Sequence, residues 1–253
     1  MATGFDVNGA VLVPEVGLYH GRCPPSAGVL RRAVHGAVIL ALALVSVACG
    51  GERTYTAEPI AARIVDADTG APVEGVNVVA AWQAKGGLEG GNIMGYVTVM
   101  EDVTNANGEF SFPGWGPKKW SNGAIRDGAP LLILLKPKYE VRFLWETKYG
   151  VEFAPSHMSS SWDGKVIPLK KFAGSLDTYD QYLSGLRTFL DTLLLEGGCA
   201  WKEVPRFLVA IDRLHKVLLA ARTFAGLASL ESMEDRAGKS CGHLKAYVLE
   251  HGR

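Results

Sequence analysis

The chain has 253 residues, 48% of them hydrophobic, and its 26 basic and 26 acidic side chains give a formal net charge of zero. That length leaves room for one large or two small domains, and so even a balance offers no electrostatic footprint for nucleic acid. The charges are scattered rather than blocked, which is the pattern of a solvated surface.

Residues 1–28 carry Asp6, Pro14, Glu15, Pro24 and Pro25 and fit no export-signal design, and no methionine lies between Met1 and Met94. They read as an upstream extension, with Val29 or Leu30 as the expected initiator, and Cys23 falls inside it. Arg31 and Arg32 then precede an apolar run over residues 37–48 that meets Cys49-Gly50-Gly51. A basic start, a short apolar stretch and small residues at the cut are the parts of a secretory signal. The run is too short to span a bilayer, which needs about 20 apolar residues. Residues 29–48 are therefore expected to be a signal peptide.

Ser46-Val47-Ala48-Cys49 resembles the lipobox of bacterial lipoproteins, in which the cysteine is acylated and becomes the new N-terminus. The resemblance implies lipidation of Cys49, a membrane partner reached through that lipid, and a lipidated linker over residues 49–54. Ser46 stands where the family prefers an aliphatic residue, which leaves ordinary cleavage without lipid as the alternative. Gly50 occupies the position where an inner-membrane retention signal would place Asp, so the resemblance points to the periplasmic face of the outer membrane.

Residues 55–172 read as β structure. Strands are expected over residues 60–65, 76–82, 95–104, 109–112, 131–135, 139–145 and 166–169, which makes about seven. Turn-forming residues separate them: Asp66-Ala-Asp-Thr-Gly70 after the first, and Asn105-Ala-Asn107-Gly108 as a hairpin turn. Alternation in Glu109-Phe110-Ser111-Phe112 places both rings on one face. Residues 113–128 are expected to be a long loop carrying Trp115 and Trp120. Short strands broken at regular intervals argue for a β-sandwich.

The segment Ile64-Val65-Asp66-Ala-Asp-Thr69-Gly70-Ala-Pro72-Val73-Glu-Gly75-Val76 resembles the opening of the carboxypeptidase regulatory-like domain. Thr104-Asn-Ala-Asn107-Gly108-Glu-Phe110-Ser-Phe112 and Leu135-Lys-Pro137-Lys138-Tyr139 are similar to that family's second and third signatures. Lys138 stands where the family usually has glycine. The resemblance implies a transthyretin-like, seven-stranded β-sandwich that is a noncatalytic appendage. The fold class expected is thus mainly β plus α, with the sandwich followed by a helical segment over residues 173–253.

In that segment Ser175 is placed to cap a helix in which Tyr179, Leu183, Leu186, Leu190, Leu193 and Leu194 recur at helical spacing. Gly197-Gly198 ends it. Pro205 suits the first turn of a second helix, and a short last helix is expected over residues 241–250. These amphipathic faces need a partner, in each other and in one face of the sandwich. Cys199 and Cys241 are the remaining cysteines, and an even pair in an exported chain reads as a disulfide.

Chemistry-bearing residues are few. Asp66 and Asp68 resemble the start of a calcium loop but lack the distal acid, so no metal is expected. His157 lies among serines with no elbow motif and no visible orienting acid, so no catalytic residue or cofactor is expected. Trp115, Lys118, Lys119 and Trp120 form an aromatic and basic cluster suited to an envelope protein or a glycan. The first reading is a noncatalytic envelope lipoprotein used for protein–protein contact or envelope structure. The alternatives are a glycan-binding module using Trp115 and Trp120 and, more remotely, a hydrolase.

Overall fold

The computed structural model describes residues 52–87, 91–125, 128–148, 154–221, 226–237 and 239–252, which lie within one compact unit, Ala48–Arg253. The upstream extension, the signal and Cys49 fall outside these residues. The strands are β1 Arg53–Ala57, β2 Ile60–Asp66, β3 Asn77–Gly86, β4 Asn92–Val103, β5 Glu109–Phe112, β6 Trp115–Trp120, β7 Ala124–Ile125, β8 Gly128–Leu135, β9 Arg142–Glu146, β10 His157–Met158 and β11 Val166–Leu169. The helices are α1 Leu176–Tyr182, α2 Ser184–Leu195, α3 Pro205–Ala220, α4 Leu230–Arg236 and α5 Leu244–His251. None of the described helices is long and apolar enough to cross a membrane.

Two short sheets, ordered β10-β1-β6 and β11-β2-β5, are halves of one bent layer. Strand β1 runs into β2 through Glu58-Pro59, and β5 into β6 through Pro113-Gly114. The bend follows from those residues. Pro59 has no N–H to give to a ladder, and a Cβ on Gly114 would lie 2.9 Å from the Ala57 carbonyl oxygen. Three long bent strands therefore face a sheet ordered β4-β3-β8-β9, with β7 attached to β3. The described residues thus hold eleven strands, where about seven were expected. Trp82, Trp115, Phe110, Phe112, Ile64, Leu132, Leu134 and Ile167 fill the space between the two layers.

Strands β3 and β8 are buried along most of their length, whereas β2 alternates buried and exposed residues. A near-continuous apolar strand means that both faces of its sheet are covered. Val79, Ala81, Leu131, Ile133 and Leu135 pack beneath Leu186, Leu190, Leu193, Phe207, Leu208 and Ile211 of the helices. The helical region is thus the third layer of one body, and its amphipathic faces find the partners expected of them.

Carboxylates from neighbouring elements seat three of the helices. The first residues of a helix leave N–H groups without partners, and neither Val204 nor His243 caps its helix with a side chain. Glu101 of β4 accepts from the Arg206 N–H at 3.0 Å and the Phe207 N–H at 2.8 Å, at the start of α3. Asp212 of α3 accepts from the Leu230 N–H at 3.0 Å, at the start of α4. Glu234 of α4 accepts from the Lys245 N–H at 2.6 Å, at the start of α5. Each helix thereby fixes the next, beginning from the sheet.

Three expectations need correction. The helix from Ser175 breaks at the buried Leu183 into α1 and α2, although Ser175 does cap α1, accepting from the Thr178 N–H at 3.2 Å. Residues 113–128 are not a loop, because β6 and β7 lie within them. The Asn107-Gly108 turn is not a hairpin, since β4 pairs with β3 while β5 pairs with β2. Gly108 (φ 74°) sits so close to β2 that a Cβ there would be 2.3 Å from the Ile64 oxygen. Its own carbonyl accepts from the Ile64 N–H at 2.7 Å, which carries the chain across to the other layer.

Candidate functional site

Strand β6 brings Trp115, Lys118, Lys119 and Trp120 together along one edge, but it turns the rings inward. Trp115 is 8% exposed and meets Trp82 edge to face with centroids 5.4 Å apart. Trp120 is half-buried, lies against Gly95 of β4, and donates its indole N–H to the Asn122 carbonyl. Lys118 folds over the Trp115 ring at 5.6 Å and donates to Thr98 Oγ1, bridging the two layers. Lys119 faces solvent and pairs with Glu52 at 2.7 Å. The stacking platform expected for a glycan is therefore not formed by Trp115, which belongs to the core.

The three segments that carry the family resemblance interlock at the opposite end of the layers. Thr104, 2% exposed, donates to the Val73 carbonyl at 2.7 Å and accepts from the Val76 N–H at 2.8 Å. Lys136 donates to the Glu74 carbonyl at 2.7 Å. One Asp66 oxygen accepts from the N–H groups of Asp68 and Thr69 and from the Thr69 hydroxyl. The other accepts from the Tyr139 hydroxyl at 3.1 Å and from Lys171 at 2.9 Å. Lys171 first, with the turn donors and Tyr139, holds the Asp66 carboxyl well below the ordinary range. Asp66 is a turn staple, with both oxygens engaged.

Beside this end, an open groove of about 580 Å³ runs over the outer face of β11, β2 and β5. Its floor has small or short side chains, Ala61, Ser111 and Gly164, with Arg63, Glu109 and Lys165 at its sides. Much of the polar lining is already engaged. Arg63 donates to the Asn107 carbonyl at 2.9 Å, Asn105 donates to Glu109 at 3.1 Å, and Asp102 accepts from the Ser111 N–H at 2.8 Å. Val166, 61% exposed, adds apolar area along one side. Such a surface can receive a protein segment by shape, with a few charges left to orient it.

His157 has partners that its neighbours in sequence do not reveal. Its Nδ1 lies 2.8 Å from Thr56 Oγ1 and its Nε2 lies 3.2 Å from Glu58 Oε1. The expectation that no acid orients this ring is thus corrected, because β10 pairs with β1 and brings in residues about a hundred positions away. The His157 side chain is 64% exposed, so water competes for every group in this hydroxyl–imidazole–carboxylate row. Nearby, the buried Glu146 accepts from the N–H groups of Thr147, Lys148 and Ser161 and from the Ser160 hydroxyl. Burial pushes its pKa up, and these donors more than offset that, so its carboxyl titrates below the ordinary range. It latches the segment after β10 to β9.

Cys199 and Cys241 form the expected disulfide, with Cα atoms 5.5 Å apart. The bond joins the turn after α2 to the turn before α5 and lies beside Trp201, which is fully buried in the helical core.

No family model matches the chain, and no curated protein is similar to it in sequence. Two solved structures are similar in part. One is the 3-chlorocatechol 1,2-dioxygenase from Rhodococcus opacus 1CP, with 16% identity over 48% of this chain and 62% of that one and a TM-score of 0.27. The other is a 9R-lipoxygenase from Cyanothece PCC8801, with 12% identity over 69% of this chain and 29% of that one and a TM-score of 0.24. The chain thus spans less than two thirds of either. At those scores neither likeness bears on fold or activity.

Proposed function

We propose that this chain is a cell-envelope lipoprotein, acylated at Cys49, that presents a carboxypeptidase regulatory-like, transthyretin-like β-sandwich for protein–protein contact. The observation that carries the reading is the sequence leading into Cys49. An arginine pair and an apolar run end at Ala48-Cys49, and β1 opens at Arg53, four residues beyond the cysteine. The Cys199–Cys241 bond supports export, since such bonds persist in oxidising compartments.

Two further observations support the finer parts. Strands in two facing layers, with the three signature segments interlocked at one end, support the transthyretin-like sandwich. Lys138, at the family's glycine position, has φ 71° and so keeps the backbone that a glycine would take there. Protein contact is preferred to glycan binding because Trp115 is core, and the groove over β11, β2 and β5 is the contact surface we assign. A noncatalytic role fits the water-open setting of His157. An outer-membrane location at the periplasmic face follows from Gly50 after the cysteine.

Metabolic labelling with an alkyne fatty acid tests the anchor. The wild-type chain should carry the label in the membrane fraction, and the Cys49→Ser variant should carry none. Equal labelling of both, or an unlabelled wild-type chain, would sink the reading.

A further inference from the structure

We infer that the outer edge of β4, between Lys118 and Glu203, is a second contact site, which takes up a short extended segment of a partner protein as an added strand. The site is separate from the groove over β11, β2 and β5, and it does not depend on the reading of Cys49. Strand β4 ends the order β4-β3-β8-β9, so no described strand lies along its far side. The Thr104 N–H donates to the Val76 carbonyl at the start of β3. Bonding directions alternate along a strand, so Val99 and Glu101 turn their backbone groups outward. Arg206 donates to the Glu101 carbonyl at 3.5 Å, and Asn122 to the Met94 carbonyl at 3.0 Å. Between those two bonds, the N–H and C=O of Val99 and the N–H of Glu101 have no partner among the described residues. The edges of the facing layer are closed instead. On β5, Asp102 accepts from the Ser111 N–H at 2.8 Å and Asn105 from the Glu109 N–H at 3.0 Å. On β11, Pro168 has no N–H to offer, and its carbonyl accepts from Arg142 at 2.9 Å. An edge left open is a template for pairing with another chain.

A slot of about 330 Å³ follows this edge over Tyr96–Met100. Lys118 of β6 lines it from the bent layer, and the turn Gly197–Ala200 with Glu203 lines it from the helical layer. Lys118 and Glu203 are the two charged side chains in that lining, and both are exposed. The neighbouring Glu101 and Asp102 are already paired with Arg206. A strand laid along β4 turns successive side chains to opposite faces of the sheet, so one of its faces meets Lys118 and the other meets Glu203. The segment that fits has no proline, carries an acidic residue on the first face and a basic one on the second, and so spaces them an odd number of positions apart. Main-chain bonds to Val99 and Glu101 supply the attachment, and the two charges fix its direction. A second copy of this chain fits less well. Two-fold pairing sets each patch against its own copy, which would turn Lys118 toward Lys118 and Glu203 toward Glu203.

The test titrates the full chain, as processed by the cells that make it, with a panel of capped peptides of alternating valine and threonine that each carry one glutamate and one lysine. Peptides with the two charges at odd spacing should bind, and the bound protein should show slowed hydrogen exchange at the Val99 and Glu101 amides. N-methylation of the peptide amides that face β4 should abolish binding, and N-methylation of the alternate amides should leave it intact. Glu203→Lys, a change at an exposed position, should weaken the same peptides by about two- to fivefold, as loss of an exposed ion pair implies. Failure of the whole panel to bind, binding indifferent to N-methylation, or slowed exchange confined to β2 and β5 would overturn the inference. So would a protein that dimerises without peptide and protects the Val99 amide, since the edge would then belong to a second copy.

Discussion

Asp66 holds a turn with one carboxylate oxygen and two more segments of chain with the other. Its lowered pKa has a definite consequence for stability against pH. The folded state takes up the proton later than the unfolded chain, whose Asp titrates near 3.9. The stabilisation is thus complete above that value and drains away as pH falls toward the folded pKa. Acid titration of unfolding midpoints should show an extra loss below about pH 4 in the wild type that is absent in Asp66→Asn, the variant starting from a lower midpoint at neutral pH. Thr104 is a cleaner case, being uncharged and buried. Thr104→Val keeps the shape and strands the Val76 N–H and Val73 carbonyl, so denaturant melts should show a loss of about 1–3 kcal/mol. Lys138 works the other way: its φ of 71° is one that side chains disfavour. Lys138→Gly should raise stability by up to about 1 kcal/mol, and an unchanged or lower midpoint would mean that the Lys138 side chain contributes more than its backbone costs.

Among elements, three of the helices take carboxylates from neighbouring elements at their starts. Glu101→Ala removes both acceptors at the start of α3 and should cost about 1–2 kcal/mol, with loss of helical signal preceding loss of the sheet. The disulfide closes a separation of 42 residues, worth about 4 kcal/mol on the chain-entropy account. Reduction should therefore expose amides of α4 and α5 to hydrogen exchange well before those of β3 and β8. Simultaneous exposure of all four would contradict the picture of a stapled outer layer. Much of this level was legible from spacing alone: leucines at helical intervals marked α2 and α3, and Pro205 marked a first turn. What escaped was set by contacts distant in sequence. Gly116-Pro117-Lys118-Lys119 breaks the strand-like alternation, so β6 read as loop, and only its pairing with β1 makes it a strand. The hairpin reading of Asn107-Gly108 failed for a related reason, because the glycine packs on Ile64 and not against its own neighbours.

At the scale of the whole molecule, three layers explain features that separate elements do not. The apolar run Leu131–Leu135 reads as a strand, but only the helical layer on one face and the bent strands on the other explain why no residue in it is polar. The row Thr56, His157 and Glu58 likewise belongs to the assembled fold, since nothing around His157 in sequence supplies an acid. The site that sequence favoured, Trp115 through Trp120, divides between core and surface once β6 is in place, and the groove over β11, β2 and β5 becomes the candidate contact surface. That groove has no motif, because its floor is made of small residues that three strands bring side by side. A designed obstruction, Ala61→Arg, should leave the free energy of unfolding within about 0.5 kcal/mol of wild type, as exposed positions do, while lowering recovery of any partner captured from native membranes. Attachment through Cys49 is checked by intact mass spectrometry of the protein extracted from the membrane fraction. A chain beginning at Cys49 and heavier than residues 49–253 by its acyl groups is expected. A chain that begins at any other residue, or one that begins at Cys49 with an unmodified thiol, would contradict it.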